Sequence, residues 1–155
     1  MSDDAKMQEF KEDFSLLIEA GFVAVKQLDE TSATRIFQSA QALSPNSTAP
    51  QIGLGYIALN KLEIKEATKI FEEIVTKEPE NHLAQTFLGI CFLMTKPKRK
   101  KGEKLIQEII EKTTNPTIKS LGKVSLEWAE KDLKKKDAPF LAAKPAGNEE
   151  NAEEE

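Results

Sequence analysis

The 155-residue sequence predicts an all-α protein of about three stacked helix hairpins and a C-terminal capping helix. Three observations lead there. Gly21, Gly55 and Gly89 recur at a 34-residue interval, and the same interval links Ala33 to Ala67, Phe37 to Phe71 and Pro45 to Pro79. Apolar residues within each period recur three and four apart, the spacing of an amphipathic helix. Proline closes the first two periods, where its missing N–H and its clash with the preceding turn end a helix.

The elements follow in order. Residues 1–9 are polar and are expected to be a flexible N-terminus, leaving 10–136 as one folded domain and 137–155, rich in Pro, Ala and Glu, as a disordered acidic tail. The repeats fall at about 14–47, 48–81 and 82–115. In the first helix Phe14, Leu17, Ile18, Gly21, Phe22, Val25 and Leu28 keep the helical interval; in the second Ile36, Phe37, Ala40 and Leu43 do so. Asp29 and Thr31 offer oxygens to the turn between them. Glycine costs a helix roughly 1 kcal/mol, so three at one register imply close helix approach, with Ala33 and Ala67 expected opposite. The third period is irregular: its alanine and aromatic registers fall on Lys101 and Leu105, and a shift of one residue to Gly102, Ile106 and Ile109 fits better. The segment Thr95 to Lys101 therefore reads as a loop that has gained a residue. Residues 118–136, with Ile118, Leu121, Val124, Leu126, Trp128 and Leu133, read as the helix that covers the open end.

Composition narrows the class. With 39% hydrophobic and 31% charged residues there is material for one core and not for two. A net charge of -4 argues against a general nucleic-acid binder. No run approaches the roughly 20 apolar residues of a membrane span, and no secretory signal is visible, so stable membrane insertion is not expected and a cytoplasmic location is. Cys91 is the one cysteine and lies in an apolar helix, where a small buried hydrophobe is the natural role. His82 is the one histidine, so neither a zinc site nor a cysteine-histidine pair can be assembled. Gly53, Gly55 and Ala58 spell GxGxxA, but no strand precedes them and the βαβ setting of a dinucleotide site is absent. Asn46, Ser47 and Thr48 form a glycosylation sequon without a secretory context. No enzyme, cofactor or metal is expected. The run Lys96 to Lys101 reads as a solvated loop; its Lys98, Arg99, Lys100 and Lys101 are also placed to steer an acidic partner.

A 34-residue period with Gly, Ala, Phe and Pro in this order resembles the tetratricopeptide repeat. The resemblance implies a binding solenoid in which positions 2, 5, 9 and 12 of each first helix line a concave groove. Counted from Phe14, Thr48 and His82, those positions include Ile18, Phe22, Val25, Ile52, Tyr56, Leu59, Ile90 and Leu93. They are apolar where carboxylate-gripping members carry Lys and Asn, so the groove is expected to take an amphipathic helix or an extended apolar segment. The competing expectation is that the chain's own termini or a second copy cover it.

The segments LIEAGFVAV (17–25), IGLGYIA (52–58), ATKIF (67–71) and LGICFLM (88–94) look like the small tetratricopeptide chaperones of bacterial type III secretion, most of all the needle-subunit chaperones. That resemblance implies a cytosolic bacterial chaperone of a virulence-associated secretion system. It would bind an amphipathic segment of a secreted needle subunit, prevent premature polymerisation, and work alongside a small helical co-chaperone. A translocator chaperone of the same systems and a general scaffold or assembly factor are the alternatives.

Overall fold

The structure is a computed structural model and describes residues 3–133. Seven α-helices occupy them: α1 (Asp3–Lys26), α2 (Glu30–Leu43), α3 (Ala49–Asn60), α4 (Ile64–Lys77), α5 (His82–Leu93), α6 (Arg99–Lys112) and α7 (Pro116–Trp128). A 3₁₀ turn at Lys96–Lys98 leads into α6, and a π-helical turn at Ala129–Leu133 follows α7. The described residues contain no strand. The expected acidic tail, 137–155, and the last residues of the expected capping helix, 134–136, lie outside the described residues.

Local chemistry sets the helix ends. Asp29 accepts the Ser32 N–H at 3.0 Å, Asn81 accepts that of Ala84 at 3.0 Å, and Asn115 Oδ1 accepts those of Thr117 and Ile118 at 2.9 and 3.2 Å, so three helix starts carry side-chain caps. Pro116 opens α7, where its missing donor costs nothing. The turns ending α1 and α3 are copies of one another. Leu28 and Leu62 adopt φ of 61° and 60°, and the N–H groups of Asp29 and Glu63 return to the carbonyls of Ala24 and Ala58, each at 2.9 Å. This left-handed close is one that glycine usually makes.

Neighbours in sequence are neighbours in space. Each helix packs against the next from α1 to α7; in addition α1 touches α3, α3 touches α5, and α5 touches α7. The odd-numbered helices thus form one row, with α2, α4 and α6 wedged behind the junctions. The core lies between the rows, and its largest fully buried side chains include Phe37, Phe71, Ile74, Leu93 and Ile106.

Gly21 and Gly55 work against rings, and the nearest atoms they meet belong to these rings and not to the alanines expected opposite them. A Cβ on Gly21 would lie 2.6 Å from the Phe37 ring, and one on Gly55 would lie 2.7 Å from the Phe71 ring. Gly53 belongs to the same arrangement: its Cβ would lie 2.4 Å from the same ring atoms of Phe37 that Gly21 meets. In the third hairpin the partner of Gly89 is Ile106, whose Cγ1 would be 2.6 Å from an added Cβ, and a Cβ on Gly102 would lie 2.6 Å from the Gly89 carbonyl oxygen. The one-residue shift expected there is the register the packing uses.

Two expectations about segments change. Residues 3–9, expected to be flexible, continue α1 as helix and are exposed. The basic run is no open loop, because Arg99 to Lys101 already belong to α6. Pro97 fits the preceding 3₁₀ turn, and Arg99 Nε donates to the Leu93 carbonyl at 3.0 Å, which ties the turn to the end of α5.

Candidate functional site

The apolar positions assigned to the first helix of each hairpin do fall on α1, α3 and α5, the row of odd-numbered helices, but they divide into two groups. Val25, Ile52 and Leu59 are buried, and Leu93 has no exposed surface at all. Leu93 is closed in by Ile106 and Ala129, with Ile90, Leu126 and Leu133 packed around them. These four side chains hold the stack together and have almost no face to offer a ligand. At the third hairpin the covering comes from α7 and the π turn, so the chain's own C-terminal helix seals this end.

Ile18, Phe22, Tyr56 and Ile90 remain half-buried. Phe22 and Tyr56 sit 6.0 Å apart between ring centroids, and Tyr56 lies 5.6 Å from Phe87, both pairs tilted by about 55°. Phe22 meets Phe37 edge to face at 5.1 Å, and Phe87 stacks on Phe71 at 5.2 Å. An aromatic ladder therefore runs from α1 across α3 to α5, braced from behind by one ring from α2 and one from α4. Such tilted pairs suit the ring quadrupole and each contribute about 1 kcal/mol beyond burial. Sequence reasoning missed Phe87, which counts as position 6 of its repeat and not as a groove position. A helical-wheel comparison with Tyr56, 31 residues earlier, would have brought it out.

The basic side chains take different roles. Lys98, Lys100 and Lys101 are exposed, whereas Arg99 is half-buried and bonded to the backbone. The ammonium groups of Lys98 and Lys101 stand 5.4 and 4.9 Å from the centroid of the buried Phe92 ring, close enough for cation–π attraction. Lys98 also shares a shallow hollow with Lys65, Lys69, Thr68 and Thr95, and Glu72 adds one negative charge to it.

No group of three or more His, Cys, Asp or Glu among the described residues could hold a metal ion. Cys91 is fully buried, and desolvation pushes its thiol up to about 11, away from the reactive thiolate. His82 has one acidic neighbour, with Nε2 3.9 Å from Glu80. Gly53 and Gly55, the glycines of the GxGxxA string, are occupied by the rings of Phe37 and Phe71. What the surface offers is apolar and aromatic contact along one row of helices, and separately a basic hollow where Lys98 meets Lys65 and Lys69 of α4. No helix among the described residues is long and apolar enough to cross a membrane.

No known protein family's sequence profile matches this chain, and a search of curated proteins returned no significant match.

Proposed function

We propose that the protein is a tetratricopeptide-type solenoid that acts as a cytosolic chaperone, holding an amphipathic segment of a secreted needle subunit along the row α1, α3 and α5. The observation that carries the reading is that Phe22, Tyr56 and Ile90, 34 residues apart on α1, α3 and α5, are all half-buried and apolar, with half-buried Ile18 one turn before Phe22. Apolar side chains at one-turn spacing on a client helix would meet this set as it crosses the row. Each client Leu or Phe buried there contributes roughly 1.5–3 kcal/mol, so a few contacts suffice to keep a polymerising subunit monomeric without any covalent step.

The 34-residue interval between Leu28 and Leu62, both at positive φ, supports the repeat reading independently of the groove. The resemblance in the four segments named above supports the secretion setting, and the exposed Lys98, Lys100 and Lys101 are available to steer an acidic client.

The test is co-expression with the candidate needle subunit, followed by mass measurement of what co-purifies. Ile18→Asp and Tyr56→Asp should each release the client while far-UV circular dichroism stays that of the parent. Retention of client by both folded variants would end the groove assignment. Capture of a pore-forming translocator in place of the needle subunit would keep the groove and change the client.

A further inference from the structure

Helix α1 is much longer than the helix it packs against. Its 24 residues reach about 36 Å, against about 21 Å for the 14 residues of α2. Gly21 lies against Phe37, so Leu43 at the end of α2 comes level with about Ser15, and everything N-terminal to that point overhangs. The face that α2 covers continues along the overhang as Met7, Phe10, Phe14 and Leu17, spaced alternately by three and four residues. Burial falls off along it as the cover ends: Phe14 and Leu17 are half-buried, while Phe10 is 45% exposed and Met7 59%.

We propose that the overhang is a self-association surface, on which α1 of a second copy lies antiparallel with its two-fold axis between Met7 and Phe10. Charge selects both the partner and the register. In a heptad with Met7 and Phe14 at a and Phe10 and Leu17 at d, the flanking positions are Asp4 and Lys11 (e) and Lys6 and Asp13 (g). In the antiparallel pairing Met7 meets the partner's Phe10, Lys6 faces the partner's Asp13, and Asp4 faces the partner's Lys11. Two-fold symmetry doubles each contact, so four opposite-charge pairs flank the Met and Phe layers. None of these four side chains has an ion-pair partner among the described residues of its own chain.

The competing registers fail. A parallel pair would set Lys6 against the partner's Lys11. Sliding the antiparallel pair to match Phe10 with the partner's Phe14 opposes Asp13 to Asp13 and Lys11 to Lys11. It also drives the incoming helix into the space that α2 already fills. The shared stretch is about 12 residues, or roughly 18 Å, far short of a standard interface, so the dimer is weak and reversible.

Sedimentation equilibrium on the full chain tests this. A monomer–dimer equilibrium is expected, weakened about tenfold by Lys6→Asp or by Asp13→Lys alone, since each change creates two like-charge contacts per dimer. The double variant should regain the parent affinity, and an equimolar mixture of the two single variants should form heterodimers. Phe10→Ser should abolish association with helicity and thermal midpoint unchanged, because the ring is outside the folded core. A chain that stays monomeric at every concentration, a dimer indifferent to Phe10→Ser, or a double variant no better than its single parents would each overturn the proposal.

Discussion

Phe37 and Gly53 are in contact so close that the Phe37 ring occupies the space a Cβ at position 53 would need, 2.4 Å from the nearest ring atoms. Gly21 clears the same ring from α1, so one side chain of α2 joins two helices of the adjacent row.

That joint gives the first prediction. Gly53→Ala should destabilise the protein by about 1–3 kcal/mol even though alanine is the better helix former by roughly 1 kcal/mol, because the added methyl would meet three atoms of the fully buried Phe37 ring at 2.4–2.6 Å. Phe37→Ala should cost about 3–5 kcal/mol. Urea unfolding followed by circular dichroism measures both. Trp128, the single tryptophan, sits on α7 at the other end. If hairpins at the two ends unfold separately, its fluorescence midpoint will shift less than the dichroism midpoint.

The turn residues Leu28 and Leu62 predict a change of opposite sign. Both are non-glycine residues at positive φ, and both are largely exposed, at 88% and 69%. A left-handed conformation costs an L residue roughly 1–2 kcal/mol, part of which glycine gives back through its freer unfolded chain. Leu28→Gly and Leu62→Gly should therefore each stabilise by about 0.5–1 kcal/mol, read as a higher thermal midpoint. A loss of stability in both would show that the exposed leucines make contacts in solution that offset the strain.

Cys91 predicts slow thiol chemistry and an alkaline weakness. Burial raises its thiol to about 11 in the folded protein, above the ordinary range of about 8.5 for a solvated cysteine. Unfolded chain then loses its proton first as pH rises, so Cys91 contributes stability below about pH 8.5 that is lost progressively towards pH 11. Stability of the parent should fall over that window more than that of Cys91→Ala, although the variant starts lower through its cavity. At neutral pH, labelling of native protein by a thiol reagent should be limited by local opening.

Glu78 predicts the acid side. Its carboxylate accepts hydrogen bonds from Thr48 Oγ1 at 2.7 Å and Asn81 Nδ2 at 2.9 Å, joining the start of α3 to the turn before α5, and those bonds hold its pKa below the usual carboxylate range. The folded state therefore gives up this proton more readily than the unfolded chain. Its contribution is complete above the ordinary carboxylate range and declines as pH falls through it. Glu78→Gln should be less stable at pH 7 and should show a smaller loss between pH 6 and about pH 3.

Much of this was legible in the chain. The interval from Gly21 to Gly55 to Gly89 located all three hairpins, because a glycine inside a helix is costly unless something must approach it. The shift to Gly102 and Ile106 was visible for the same reason, as a small residue and a large one at the right separation. All eight groove positions are apolar, so composition did not separate them, yet burial follows the repeat: Phe22, Tyr56 and Ile90 at one register are half-buried, and Val25, Leu59 and Leu93 three residues later are buried. What register does not explain is left to packing: Ile18 and Ile52 share a repeat position, but Ile52 is buried and Ile18, on the first helix of the row, is not. The helical start of α1 was missed because its charges outnumber its apolar residues, though the spacing of Met7, Phe10 and Phe14 carried the signal.

By itself, then, the sequence determined the helices, their pairing in chain order and the apolar character of the odd-numbered row, because helix periodicity, proline stops and glycine cost are local effects. The tertiary structure alone decided which apolar side chains became core and which kept a face to solvent. It also decided that Phe37 packs against glycines of two different helices, and that α1 runs past the end of α2. Register records which side of a helix a residue takes, but how far that side is covered depends on where other helices end.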